Sequence, residues 1–131
     1  MLRWIAAVSG AYDIVMGLIL LLAAPTLAIT LGVSSPASEL LADITGLFAV
    51  AVGIGYFMVL RDPEHHRAYL WLMGPFLKGL GAAAFVRDYV VRGSPSSILL
   101  FALSDGALAV LTFLALVKRQ ASPGSGSVSK Q

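Results

Sequence analysis

Asp13, Lys78 and Asp105 are the residues of this 131-residue chain best placed to do chemistry. Each falls inside a long apolar stretch, and the three stretches are separate. Ionisable groups in such settings pair with one another, or they mark a path or site for a proton, an ion or a ligand. Two carboxylates and one ammonium cannot all neutralise. The leftover negative charge must be met by a proton on one aspartate, or by water or a cation entering. Two readings therefore stand: a buried network that fixes helix register, and a site that handles a proton, an ion or a solute.

Four further residues are secondary candidates. Pro75 removes one helix hydrogen bond and frees the carbonyl of Trp71, and Lys78, whose side chain leans back along the helix, is within reach of that carbonyl through a water. The alternative is a tolerated kink packed by Gly74 and Gly79. Asp43 is placed to meet water near a membrane surface. Ser9 and Ser104 each neighbour the charged layer, where serines serve helix packing as readily as chemistry. No nucleophile–base–acid set and no phosphate loop occurs, so no catalytic residue is assigned. His65 and His66 are adjacent and point about 100° apart on a helix, unlike an i, i+4 ligand pair. With Asp62 and Glu64 they read as a solvated turn, and no metal is expected. No histidine lies deep within a span, which leaves an intramembrane haem without paired ligands, and no cofactor is expected.

Composition narrows the class further. The chain is 58% hydrophobic and 12% charged, with a mean hydropathy of +0.86. Soluble domains carry about 25% charged residues, so lipid is the expected solvent. The net charge of +2 is spread over helix ends, which gives nucleic acid no basic patch to bind. There are no cysteines, and that removes disulfides, thiol catalysis and cysteine-held metals together.

The elements that must position the charges are four membrane helices, expected at about 3–23, 36–60, 63–91 and 95–118. The fold class is all-α, a four-helix transmembrane bundle over 1–119 with a disordered polar tail at 120–131. The first apolar run reaches Ala24, which is long for a cleaved signal, and carries Asp13 in its middle. It is read as a retained anchor. Pro25 stops or kinks helix one, and residues 26–33 either finish it with a bend or lie along the interface. Ser35-Pro36, Asp62-Pro63 and Ser94-Pro95 each offer a capping side chain before a proline, a start signal for the next three helices. Trp4, Tyr69, Trp71 and Tyr89 are expected as interface anchors. Arg3, Arg61, Arg67, Lys118, Arg119 and Lys130 fall on the side of the termini and only Arg87 and Arg92 on the other. That bias predicts cytoplasmic termini in a bacterial inner membrane.

Depth and facing follow from helix geometry. Ten residues separate Asp13 from Arg3, eleven Lys78 from Arg67, and thirteen Asp105 from Lys118. These counts correspond to about 15, 17 and 20 Å, one layer near the midplane of the bilayer. Asp43 is eighteen residues from Arg61, about 27 Å along, near the outer surface. Each charge shares a helix face with small residues, such as Gly10 and Gly17 with Asp13, Gly46 with Asp43, and Gly74 and Gly81 with Lys78. Close packing through those faces would turn the charges inward.

The opening WIAAVSGAYDIVMGLILLLAAP, the glycine-containing LADITGLFAVAVGIGYF and the short RDPEHHR turn resemble the DoxX-like group of small bacterial four-helix membrane proteins. The likeness spans about residues 4–118. Some members of such families are similar to accessory subunits of quinone-linked oxidoreductases. The resemblance thus implies a partner rather than autonomous catalysis. The expected role is a non-enzymatic accessory or interaction protein in the lipid bilayer, with a membrane-protein partner or as a homo-oligomer; a quinone-associated subunit of a membrane oxidoreductase is an alternative. The resemblance carries over no functional residue.

Overall fold

The computed structural model describes residues 1–34 and 38–120 and, among them, contains helices and no strand. Four helical spans are long and apolar enough to cross a membrane: Leu2–Leu31, Glu39–Val59, Arg67–Arg92 and Ser96–Lys118. The first two are α1 and α2. The third is composite: α3 (Arg67–Trp71), a π-helical segment (Leu72–Lys78) and α4 (Gly79–Arg92). The fourth begins with a 3-10 turn (Ser96–Ile98) and continues as α5 (Leu99–Gln120). Large apolar side chains such as Leu22, Leu47, Phe76, Leu103 and Val110 point outward on every span. In water they would be a liability; in a bilayer they are the matched surface.

The most extensive helix pairing is between α1 and α2. Gly10 and Gly17 on α1 meet Gly53 and Gly46 on α2 in reciprocal, antiparallel pairs. A Cβ at Gly17 would lie 2.6 Å from the Gly46 carbonyl oxygen, and one at Gly46 would lie 2.8 Å from that of Gly17. Only hydrogen fits there, so the backbones approach closely, as small residues permit in lipid.

α1 is longer than the sequence suggests. It passes through Pro25 to Leu31, with a kink at Ala23, whose φ of −148° leaves helical space. The proline ring cannot coexist with an unbroken turn before it, so the helix bends and resumes. Residues 26–31 thereby finish the helix. Gly32, at φ 67°, then ends it, with its N–H and that of Val33 bonding back to Ile29 and Ala28.

Two of the expected proline starts are corrected. Residues 63–66 form turns and α3 begins at Arg67, although Asp62 Oδ1 does accept from the His65 N–H at 3.1 Å. Pro95 precedes a 3-10 turn, and Ser94 caps nothing: its hydroxyl donates to Asp88 Oδ2 at 2.5 Å. Competition from a nearby carboxylate outweighs a single capping bond. The Ser35-Pro36 start lies outside the described residues, as does the expected tail beyond Gln120, which itself ends α5.

The packed core occupies the half of the bundle nearest the termini. Leu2, Ala6, Val52, Tyr56, Val59, Leu70, Ala115 and Leu116 are buried together there. Arg67 closes this half by donating from Nη2 to the Leu116 carbonyl at 2.7 Å. Tyr69 also belongs to the interior rather than to an interface belt: its hydroxyl donates to the Val52 carbonyl at 2.6 Å and its ring meets Tyr56 edge-on. That bond supplies the buried hydroxyl with an acceptor, which a lipid-facing position would not.

Candidate functional site: a charged floor beneath an apolar cleft

Lys78 lies at the end of the π-helical segment and is 5% exposed. Pro75 within that segment lacks an N–H and cannot serve a regular α turn. The wide turn absorbs the defect. It holds about one residue more than an α turn, so whatever follows is rotated by about 100° from an unbroken helix. Lys78 emerges from this turn facing α1 and α5. Its Nζ donates to Asp13 Oδ1 at 2.5 Å and to Asp105 Oδ1 at 3.4 Å. Its ammonium therefore serves both carboxylates. Gly74 packs against Thr112 in the same turn; a Cβ there would come within 2.6 Å of the threonine methyl.

Three separate spans thus place Asp13, Lys78 and Asp105 in one contact. The two arms are unequal. Asp13 is the tighter and more buried partner, its side chain 11% exposed against 18% for Asp105. The second oxygen of Asp13, Oδ2, is buried with no hydrogen-bond partner among the described residues. Formal charge at the cluster is −1.

Two side chains not anticipated from sequence complete the layer. Tyr12 places its ring 5.0 Å from Lys78 Nζ, a cation–π distance, and its hydroxyl hydrogen-bonds Ser104 Oγ at 2.9 Å. Ser104 in turn donates to the Phe101 carbonyl at 3.1 Å. Ser104 is thus joined to the charged layer through Tyr12. Tyr56 is the other addition. It is fully buried, and its hydroxyl and Ser9 Oγ both lack a geometric hydrogen-bond partner among the described residues. Ser9 is one helical turn from Asp13 on the side of the termini. A mid-span tyrosine, far from any interface, was the available signal for Tyr12: its hydroxyl needs a partner inside the bilayer.

Asp43 is apart from all of this. It is exposed on α2 and takes no part in the cluster, in keeping with a position that meets water near a membrane surface, although it shares α2 with the inward-facing Gly46. Gly46 meets α1, while Asp43, three residues earlier, falls outside the contact. The paired histidines are exposed and stack edge-on at 5.2 Å, and no group of metal-ligating side chains occurs among the described residues.

Above the cluster, away from the termini, the helices diverge around a cleft of about 540 Å³. Asp13, Asp105 and Tyr12 form its floor. Met16, Leu20, Leu27 and Ala28 of α1, Thr45 and Ala49 of α2, and Phe85, Ile98 and Phe101 of the other two spans form its walls. Asp88 lies at the rim, held by Ser94 and by Arg92 Nη1 at 2.8 Å. The top of α1 is fastened to the fourth span where Ser97 Oγ donates to the Leu31 carbonyl. Among the described residues α2 and α4 have no comparable tie; both line the cleft, yet they scarcely approach each other.

Comparison with known proteins adds no relative: no family model matches the chain, and neither does any curated protein or solved structure.

Proposed function

We propose that this multi-pass membrane protein handles protons or a small cationic solute at the Asp13–Lys78–Asp105 cluster, with access from the side opposite its termini. One observation carries the reading. A cleft open at one end stops on a floor with one uncompensated negative charge, while the half below it is packed shut. A purely structural ion pair needs no such approach. The buried Ser9 and Tyr56 hydroxyls extend polar groups about one turn below the floor, a short continuation for a proton towards the closed side.

The basic residues set the orientation within this proposal. Arg3, Arg61 and Lys118 are exposed at the end of the termini, and the positive-inside bias supports reading that end as cytoplasmic and the cleft mouth as outside a bacterial plasma membrane. The role is non-enzymatic.

Proteoliposomes holding a pH-sensitive dye and energised by a potassium diffusion potential test this. The wild type should pass protons faster than protein-free vesicles. Asp105→Asn should abolish the excess while keeping helical content and monodispersity, because the shorter Lys78–Asp13 bond remains. Equal flux from both proteins would overturn the reading. The cluster would then be a tie within an accessory or interaction subunit of the kind the DoxX-like resemblance implies.

A further inference from the structure

The cleft carries information about the solute as well as the proton. Resting on the reading above, we infer that the site takes an amphiphilic monocation, an amine with an apolar tail, which reaches it sideways from the bilayer between α2 and α4.

Four observations converge on this class of ligand. The volume of about 540 Å³ lies within the range of about 300–1,000 Å³ typical of small-molecule sites. The walls are apolar along most of their height, with Met16, Leu20, Phe85 and Phe101 among them, so a hydrated inorganic ion would lose its shell without replacement. The floor is the reverse. Asp13 lines the base of the cleft, and its buried Oδ2 has no hydrogen-bond partner among the described residues, so an acceptor position is unused there. Asp105 holds Lys78 at only 3.4 Å, which leaves it free to accept a second donor. An ammonium between the two carboxylates would bring the formal charge from −1 to zero. A carboxylate-headed lipid would raise it to −2, and a neutral head would leave the charge unmet. Finally, α2 and α4 both line the cleft but scarcely approach each other, and that seam is the sideways route by which a ligand already dissolved in lipid would avoid the aqueous rim.

Protons and the amine answer the same charge deficit and compete. Binding of the amine should therefore release a proton where one is resident, and should weaken as pH falls.

Octylamine, 1-octanol and octanoate share one tail and differ in head charge, which makes them the probes. Thermal unfolding in nanodiscs reads binding, with Asp13→Asn and Asp105→Asn as backgrounds that carry the same nonspecific partitioning. Octylamine should raise the wild-type midpoint well above the octanol value, octanoate should not, and either variant should lower the octylamine effect at least tenfold in apparent affinity. Lowering the pH should reduce the octylamine shift. If 1-octanol stabilises as well as octylamine, the cleft houses a neutral tail or ring, as a quinone-holding subunit would, and the inference falls. If none of the probes acts while Asp105-dependent proton flux persists, the amine inference falls and the proton reading stands. If flux is absent too, both fall.

Discussion

At the scale of single residues, the unequal arms of the cluster make separable expectations. Breaking a buried ion pair by removing one partner costs about 3–5 kcal/mol, since the remaining charge is stranded. Lys78→Met strands two carboxylates near one another and should lose that much stability, read as a lower unfolding midpoint in detergent. Adding Asp13→Asn should restore most of it, because the tighter half of the network is then neutral. Asp105→Asn alone replaces a hydrogen bond of 3.4 Å and should cost about 1 kcal/mol or less. A loss for Asp105→Asn as large as for Lys78→Met would mean that both carboxylates are equally essential to the fold. That the three residues could meet was legible in the sequence, because lone charges inside apolar stretches stand out and helix rise gives their depth. Tyr12 stands out in the sequence only as a mid-span hydroxyl in need of a partner, and spacing within its own helix does not supply one. Only its partner Ser104, 92 positions away, shows what the hydroxyl is for.

At the scale of elements, close backbone approach and broken helix geometry set what the spans can tolerate. Gly17→Ala inserts a methyl 2.6 Å from a carbonyl oxygen of α2, where backbone has to move. Overpacking of that kind costs about 1–3 kcal/mol, so the variant should unfold earlier. Gly79→Ala is the control. Its Cβ would find nothing nearer than the Ala109 methyl at 4.0 Å, and the change should be neutral or stabilising by up to about 1 kcal/mol. Pro75→Ala gives a sharper contrast. Helix propensity alone favours alanine by about 3 kcal/mol. If the π-helical segment is what aims Lys78, restoring a regular turn rotates the lysine away from its acids. Stability should then fall or stay level, and thermal unfolding of the two proteins decides. A gain near the propensity difference would show that the wide turn has no part in aiming the side chain. The spans were legible from length and apolar content. Their starts were less so, because a residue before proline has other partners available: Ser94 goes to Asp88, and Asp62 closes a turn ahead of α3. Nor does residue spacing reveal a π turn, since the pattern assumes the very period that the turn changes.

At the scale of the whole molecule, the two halves of the bundle differ, and that difference belongs to no single helix. Side chains from all four spans interlock near the termini, whereas the far half is held by the Gly17–Gly46 contact, the α4–α5 packing and the Ser97 tie, with little approach between α2 and α4. Empty space of this sort depends on how far helices splay, and composition carries no record of it. The absence of native cysteine makes the asymmetry testable one thiol at a time. Thr45→Cys lines the cleft on α2, and His65→Cys sits exposed in the turn before α3, at the opposite end. A small, membrane-impermeant cationic thiosulfonate added to intact cells should modify Thr45→Cys and spare His65→Cys, which should react only after permeabilisation. The reverse pattern would invert the orientation and place the cleft mouth in the cytoplasm. Octylamine should slow the reaction at Thr45→Cys, because a bound tail occupies the same wall and its ammonium offsets the charge that draws the reagent in. Ala115→Cys, in the closed half, should resist the reagent from both sides in the folded protein, since its site is fully buried. Reaction there from outside at a rate like that of Thr45→Cys would mean that the lower half opens as readily as the upper. Access would then not be one-sided, and the seal formed by Leu2, Tyr56 and Leu116 would be no barrier.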